Sequence, residues 1–445
     1  MVSEKIKSFE KKLKSNNVVR NMIASGIYKP MAMVLSYLYV RLVLSYLGIE
    51  KYGIWSTILT IVSWINYFDI GIGNGLMNRL TEAIERKEIF LCKKYVTSSY
   101  VFISSVMIVD SIILCIISSN ISWNSFLRAE NVAEDIKTII CLSIVILAVN
   151  FTLQICKNVL FALQKASLVG QMELTRQSLN IIGLLLLKYL SDGTILYVAI
   201  LYGVSMLITN IIYTYIAYKK AGFVPSLAYF DKTIGFSLTG LGLKFFVVQI
   251  CDLILFTTDN LLIAHYFGAT NVTLYNTVNK AFQAVLGIHA AFITPVWAAV
   301  TKAKAGKDYR WMQSFVRKIS IMIIPFCIVA IVLALFFRPI SYFWLGQELD
   351  YTSLMIVLGC IYCVFTMVCN TFAVIINGLE LMRQSIILSL TQAVVNIPLS
   401  IFFANVIGLE TEGILLGTVF SIGMAAIIRP IIVYNYLKKQ LEGSE

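Results

Sequence analysis

Long apolar runs separated by short polar connectors fill the chain from about residue 20 almost to its end. Runs of this length predict helices that cross a bilayer. At 1.5 Å of rise per residue, about 20 apolar residues span a hydrocarbon core of roughly 30 Å. The pattern predicts twelve spans, at 20–47, 53–78, 95–119, 138–162, 168–190, 194–218, 234–267, 272–300, 314–337, 352–377, 384–407 and 412–436. Short alternating strands of the kind that build membrane β-barrels do not occur. The expected fold class is all-α integral membrane, with about twelve transmembrane helices.

Composition agrees. Of 445 residues, 58% are hydrophobic and only 13% are charged, and the mean hydropathy is +0.81. So few charges cannot cover a water-soluble surface. The connectors are too short to fold as separate soluble domains. Residues 1–19 do not read as a cleavable signal. They carry Lys5, Lys7, Lys11, Lys12 and Lys14, with Ile6, Phe9 and Leu13 on one helical stripe. This reads either as a basic amphipathic segment on the membrane surface or as a solvated tail.

The cations set an orientation. Twenty-four Lys and Arg fall on the N-terminal tail, the even-numbered connectors and the C-terminal tail, against five on the odd-numbered connectors. The positive-inside rule then places both termini in the cytoplasm. This asymmetry accounts for the net charge of +12, so no nucleic-acid partner is inferred from it. Trp123 and Trp344 stand at the outer ends of the third and ninth spans, where an aromatic belt would lie. The nine cysteines and two histidines form no ligand cluster, so no metal site is expected. Cys360 and Cys363, one turn apart in an apolar span, read as packing residues.

A shift of 220 residues lays one half of the chain on the other. It pairs Tyr46 and Gly48 with Tyr266 and Gly268, Ala83 with Ala303, Lys87 with Lys307, and Glu88 with Asp308. It also pairs Asn150 with Asn370, Gly193 with Gly413 and Gly203 with Gly423. The basic connectors 79–94 and 302–318 superpose. The expected organisation is a six-helix lobe over 20–220, a linker at 221–233 and a second six-helix lobe over 234–439. Pseudo-two-fold symmetry about the membrane normal relates the lobes, an architecture found among secondary transporters.

Seven cations stand inside spans: Lys29, Arg41, Lys157, Arg176, Lys244, Lys280 and Arg429. The acids at depth are Asp69, Asp110, Glu173, Asp252 and Asp259. A charge at the bilayer centre costs about 3 kcal/mol or more, so such residues usually face a bundle interior or a watery cavity. Snorkelling is the alternative for Arg41, Lys157 and Arg429, and an i,i+3 ion pair is the better reading of Glu173 and Arg176. In the seventh span Lys244, Asp252 and Asp259 share a sector of about 80°. In the eighth, Asn276, Asn279, Lys280 and Gln283 share a face. In the first, Ser25, Lys29 and Ser36 cluster beside Pro30. These faces either line a common hydrophilic cavity or make lateral packing contacts. The glycines of 69–75 follow an apolar helix and not a β-strand, so they are not read as a nucleotide loop. No Walker lysine motif and no extramembrane catalytic set occur, so neither ATP hydrolysis nor a cofactor is expected.

Three stretches carry a family likeness: Tyr46–Ser56, Phe68–Arg79 and Thr258–Ala264, the last followed by Gly268 and Tyr275-Asn276. They resemble the polysaccharide transporter family, the O-antigen flippases of the multidrug/oligosaccharidyl-lipid/polysaccharide exporter superfamily. The resemblance implies a bacterial inner-membrane protein that moves undecaprenyl-diphosphate-linked oligosaccharide from the cytoplasmic to the periplasmic leaflet, in company with other polysaccharide-assembly proteins of the membrane. It also implies that the first, second, seventh and eighth spans border a central cavity. Asp69, Arg79, Asp259 and Asn260 occupy motif positions, whereas Lys29, Lys244, Lys280 and Asp252 rest on the face analysis alone. The expected cavity set is Lys29, Arg41, Asp69, Lys244, Asp252, Asp259, Asn260, Asn276, Lys280 and Arg429, with Asp252, Asp259 and His289 as groups for ion coupling. A multidrug exporter of the same superfamily and a membrane polymerase or ligase remain as alternatives. The short outer connectors weigh against the enzyme.

Overall fold

The structure is a computed structural model, and it describes residues 28, 30–67, 72–129 and 132–442. The side chains at 66, 67, 74, 78, 236–249, 252, 256, 294, 295, 298, 302, 305 and 382 are outside that description. Every regular element among the described residues is helical. The helices are α1 (Pro30–Leu47), α2 (Ile49–Ser63), α3 (Ile72–Glu85), α4 (Ile89–Ser119), α5 (Trp123–Phe126), α6 (Ile136–Leu153), α7 (Ile155–Ala162), α8 (Ala166–Leu190) and α9 (Ile195–Ala221). There follow α10 (Lys232–Phe267), α11 (Ala269–Ala305), α12 (Tyr309–Leu335), α13 (Phe337–Leu345), α14 (Ser353–Gly378), α15 (Met382–Ile401) and α16 (Glu410–Glu442). Among the described residues, eight stretches are long and apolar enough by themselves to cross a membrane. The described parts of the other four expected spans are also helical.

Where spans break, local chemistry accounts for it. The second span was expected to be continuous over 53–78. It is instead α2, a 3₁₀ turn at Trp64–Tyr67, and α3 from Ile72 onward. The fourth span tightens at Gln154, whose N–H donates to both Asn150 and Phe151 carbonyls, and divides there into α6 and α7. Pro398 cannot donate to the helix ladder, and α15 ends in a π-helical turn at Phe402–Val406.

Two compact units emerge, one up to Phe246 and one from Val247. The boundary lies inside α10, beyond the polar interval 221–233. In the first unit α4 packs on α3 and α6, and α9 packs on α6 and α8. In the second, α14 packs on α11 and α16, and α15 packs on α16. The second unit's core joins Val300, Met312, Phe372, Ile375 and Val433. Apolar side chains also face outward in stripes, such as Ile108, Ile112 and Ile116 on α4 at 60%, 55% and 59% exposure. A soluble protein would bury that surface; hydrocarbon covers it here.

The repeat is visible in the backbone. Gly48 and Gly268 both lie at positive φ, at 78° and 86°, and so do Lys87 and Lys307, at 59° and 53°. The Glu88 N–H donates to Ala83 O, and the Asp308 N–H to Ala303 O, each at 3.0 Å. The same left-handed turn therefore closes both basic connectors. Gly193 is needed for close approach, since a Cβ there would stand 2.1 Å from the Tyr46 carbonyl oxygen.

Candidate functional site

In the second unit the polar groups converge on Asp259 of α10. Its carboxylate is 1% exposed. It accepts from Tyr275 Oη on α11 at 2.7 Å and from Thr418 Oγ1 on α16 at 2.9 and 3.0 Å. Asn396 Nδ2 on α15 donates to Thr418 Oγ1 at 2.9 Å. Four helices thus meet at one acid with hydroxyls and an amide but no cation among its described hydrogen-bond partners. A buried carboxylate without a counter-charge is costly unless it is bonded or protonated, so the site is suited to hold a proton or a small cation.

Two other expected residues of this unit, Arg429 and His289, have partners of their own. Arg429 is buried on α16, 8% exposed. It donates to the Cys369 carbonyl at 3.0 Å and to Gln392 Oε1 at 3.5 Å. It therefore ties α16 to α14 and α15 and does not snorkel. Eleven residues of helix, about 16 Å at 1.5 Å per residue, separate it from Thr418. His289 is 2% exposed and meets Thr371 Oγ1 at 3.3 Å, with Phe326 edge-on to its ring. Asn260 and Lys280 are half-buried, and Asn276 has a buried Nδ2 with no hydrogen-bond partner among the described residues.

In the first unit Arg41 is exposed on α1. Lys29 and Asp69 lie outside the described residues, as do the side chains of Lys244 and Asp252. The structure therefore neither gathers nor separates the three lysines of the expected cationic lining.

The first unit holds instead a cavity of 420 Å³ among α2, α6, α7, α8 and α9, whose polar walls include Gln154, Lys157, Glu173, Arg176, Tyr202 and Asn210. The Glu173–Arg176 pair expected from spacing is present, at 2.5 Å. Gln177 also donates to Glu173 at 3.0 Å, and Arg176 donates to Tyr202 Oη at 3.3 Å. Asn210 is bonded to Asn150, Nδ2 to Oδ1 at 2.8 Å. Of this wall the sequence offered Lys157, Glu173 and Arg176. Tyr202, Gln154 and Asn210 were missed, as were Thr418 and Asn396 around Asp259. Each is a lone polar residue in an apolar span, and one-dimensional periodicity gives it no partner.

This helical architecture is similar to that of several solved structures. A multidrug resistance MATE family transporter of the MOP superfamily, in its inward-facing conformation, superposes with a TM-score of 0.74 at 16% identity, covering 93% of this chain and 96% of that one. A MOP superfamily transporter from Pyrococcus furiosus, described as having a binding pocket of reverse polarity, superposes with a TM-score of 0.64 at 15% identity, covering 94% and 96%. The protein has the fold of a MOP superfamily transporter and is a multi-pass membrane protein.

The sequence narrows the class. Residues 17–300 match the family model described as polysaccharide biosynthesis protein, and the chain belongs to that family. Two curated relatives, each named "Putative O-antigen transporter", are similar along most of the chain. That of Salmonella typhimurium is 21% identical over 86% of this chain and 88% of its own length. That of Salmonella typhi is 20% identical over 90% and 92%.

Proposed function

We propose that the protein is a flippase that carries an undecaprenyl-diphosphate-linked oligosaccharide from the cytoplasmic to the periplasmic leaflet of a bacterial inner membrane, with both termini in the cytoplasm. The observation that carries this reading is the family match over residues 17–300 on a transporter fold. The names of the two Salmonella relatives support the cargo class, and the asymmetry of loop cations supports the orientation. Lys29, Lys244 and Lys280 would receive the diphosphate from three helix faces. Lysine suits a mobile phosphate because it neutralises charge without fixed bidentate geometry. Alternating access would then be coupled through Asp259, whose enclosure by Tyr275 and Thr418 can be satisfied by a proton or a small cation in turn. Asp252 and His289 are secondary candidates for that role.

The deciding experiment reconstitutes the full chain in vesicles with a fluorescent lipid-linked oligosaccharide and measures its accessibility at the outer leaflet. Leaflet exchange that depends on the protein and leaves the glycan unchanged in length is the expected result. A glycan that is lengthened or transferred would replace the transporter with a polymerase or ligase. Export of drug cations with no glycan exchange would favour the multidrug reading. Labelling of a cysteine placed at Lys307 from the periplasmic side would reverse the orientation. Alanine at Lys29, Lys244 and Lys280 should abolish exchange at equal membrane abundance, with arginine retaining more of it. Normal exchange in all three alanine variants would remove the cationic lining.

A further inference from the structure

The connector between α9 and α10 exposes apolar side chains where a solvated loop would carry polar ones. Val224 and Leu227 are 64% and 79% exposed. The connector is nevertheless fixed, because the Ser226 N–H donates to Thr97 Oγ1 and the Asp231 N–H to Ser98 Oγ. Val224 and Leu227 wall a groove of about 370 Å³ against Thr97, Tyr100, Thr214 and Tyr218 of α4 and α9. The hydroxyls of Tyr100, Thr214 and Tyr218 are buried there without a hydrogen-bond partner among the described residues. Beside the groove, Ile208, Ile211, Ile212 and Tyr215 form an exposed apolar stripe on α9, which hydrocarbon covers. Lys219 extends that stripe by one turn, its ammonium 5.8 Å from the centre of the Tyr215 ring. The change from apolar to cationic marks the headgroup level of the bilayer, and Tyr218 stands just below it, three residues or about 5 Å from the end of α9 at Ala221.

The charges near the groove are of one sign. Lys219 and Lys220 directly follow Tyr218 and are exposed. Lys93 stands one turn before Thr97 on α4, with its ammonium over the Tyr229 ring at 4.9 Å. Docking of the connector accounts for Lys94, which pairs with Asp231 at 3.0 Å. It does not account for Lys93, Lys219 and Lys220, which have no carboxylate within ion-pair distance among the described residues. An apolar groove beside a lipid-facing stripe suits an acyl chain, and lysines at headgroup level attract anionic lipid. We propose that this groove binds an anionic phospholipid of the surrounding bilayer. One acyl chain lies against Val101, Leu153, Val224 and Leu227, and the glycerol ester oxygens accept from the hydroxyls of Thr214 and Tyr218. Lys93, Lys219 and Lys220 hold the phosphate. The bound lipid fastens the connector to α4 and α9, so the composition of the leaflet controls how firmly the connector is held. Only the assignment to the cytoplasmic leaflet rests on the orientation proposed above.

The test titrates the detergent-solubilised full chain with dioleoyl phosphatidylglycerol and dioleoyl phosphatidylcholine, and reads bound lipid by native mass spectrometry. Phosphatidylglycerol should bind about tenfold or more tighter, because its headgroup has a net negative charge for the lysines to meet. K219Q/K220Q should remove most of that preference and K219R/K220R should keep it. L227E places a carboxylate on the groove wall at an exposed position, so it should weaken phosphatidylglycerol binding several-fold without lowering the melting temperature. Phosphatidylglycerol should also slow proteolysis of the wild-type chain between Gly222 and Phe230. Glycerol phosphate, which has no acyl chain, should not displace it. Equal binding of the two phospholipids, or the wild-type preference in both K219Q/K220Q and L227E, overturns the site. Displacement by an equal concentration of glycerol phosphate would leave a phosphate patch and overturn the groove. Displacement by an equal concentration of farnesyl diphosphate would give the groove to an isoprenoid diphosphate and overturn the phospholipid. These failures are separable from failure of the flippase reading. Vesicles that exchange lipid-linked glycan while the chain shows no phospholipid preference remove this site alone. Vesicles that exchange none while the preference holds remove the flippase reading alone.

Discussion

The two units answer the same physical problem, polar groups at membrane depth, in opposite ways. The first leaves its charges beside open space: Glu173 and Arg176 pair at the wall of a cavity, with side chains 44% and 20% exposed. The second closes its charge in, with Asp259 at 1% exposure held by hydroxyls from two other helices. Open charges keep their interactions with water and respond to whatever enters. An enclosed acid has only its bonded neighbours, so its protonation or cation occupancy is felt by every helix that bonds it. A repeated fold thus carries part-exposed charges in one half and an enclosed polar knot in the other. The shared backbone turns at Lys87 and Lys307 mark the common frame.

The largest effect should come from the knot. Asp259→Ala removes the acceptor of Tyr275 and Thr418, which are 6% and 1% exposed, and leaves both hydroxyls buried without it. A loss of about 3 kcal/mol in unfolding free energy is expected. Asp259→Asn keeps the volume and an acceptor oxygen, so it should fold nearly as well as the wild type while losing any dependence of transport on a proton or sodium gradient. Thermal unfolding and gradient-driven exchange in vesicles measure the two. If the alanine variant melts with the wild type, the enclosure is not what holds these helices together, and the contrast between the units collapses.

Glu134 is a charge of the first unit that works structurally. Glu134 accepts from the backbone N–H groups of Ile195 and Leu196 at the start of α9, at 2.8 and 3.3 Å. Its other oxygen meets Lys51 at 3.0 Å, and Lys51 in turn donates to Gly193 O at 2.7 Å. Glu134→Ala should cost about 1–2 kcal/mol, the range for a lost helix cap, and should speed hydrogen exchange in the first turn of α9. The Glu173–Arg176 pair should contribute less. With Glu173 at 44% exposure, a double-mutant cycle to alanine should give a coupling of only about 0.5–1 kcal/mol. A coupling several times larger would mean the cavity is dry, and would bring the first unit closer to the second.

Much of the frame was legible in the sequence, and the reasons are specific. Span length follows from bilayer thickness, so apolar runs located the helices. The repeat followed from residues with steric duties: Gly48 and Gly268 stand at positive φ, and Glu88 and Asp308 head the same turn. An i,i+3 spacing on one helix was enough for Glu173 and Arg176. Contacts between helices were not legible. Thr418 reaches Asp259 across 159 positions, and Asn210 reaches Asn150 across 60. Nothing in the pattern along one helix encodes the rotation of another. The same gap hid the burial of Arg429, whose partners Cys369 and Gln392 sit on two other helices.

The smallest effect concerns the segment between α9 and α10, which lies wholly in the first unit. After Gly222 at φ 72°, the chain docks on α4 through Ser226 N–H to Thr97 Oγ1 at 3.2 Å and Asp231 N–H to Ser98 Oγ at 3.0 Å. The Asp231 carboxylate accepts from Thr233 Oγ1 at 2.6 Å and from Lys94 Nζ at 3.0 Å. Those two bonds, the Thr233 hydroxyl first, hold its carboxyl down to about 2. A depressed carboxylate contributes its stabilisation above the unfolded value near 3.8 and loses it only as the pH falls through the folded one. Docking should therefore be unchanged from about pH 8 to pH 5, where the carboxylate is ionised in both states. Limited proteolysis between Gly222 and Phe230 reads this directly. Asp231→Asn keeps a side chain that caps α10 and loses the attraction to Lys94, so cleavage should rise slightly. Asp231→Ala loses both and should raise cleavage further, with little change in overall melting, because the segment is exposed and its bonds are local. Cleavage that rises between pH 8 and pH 5 in the wild type would mean that another titrating group holds the segment down.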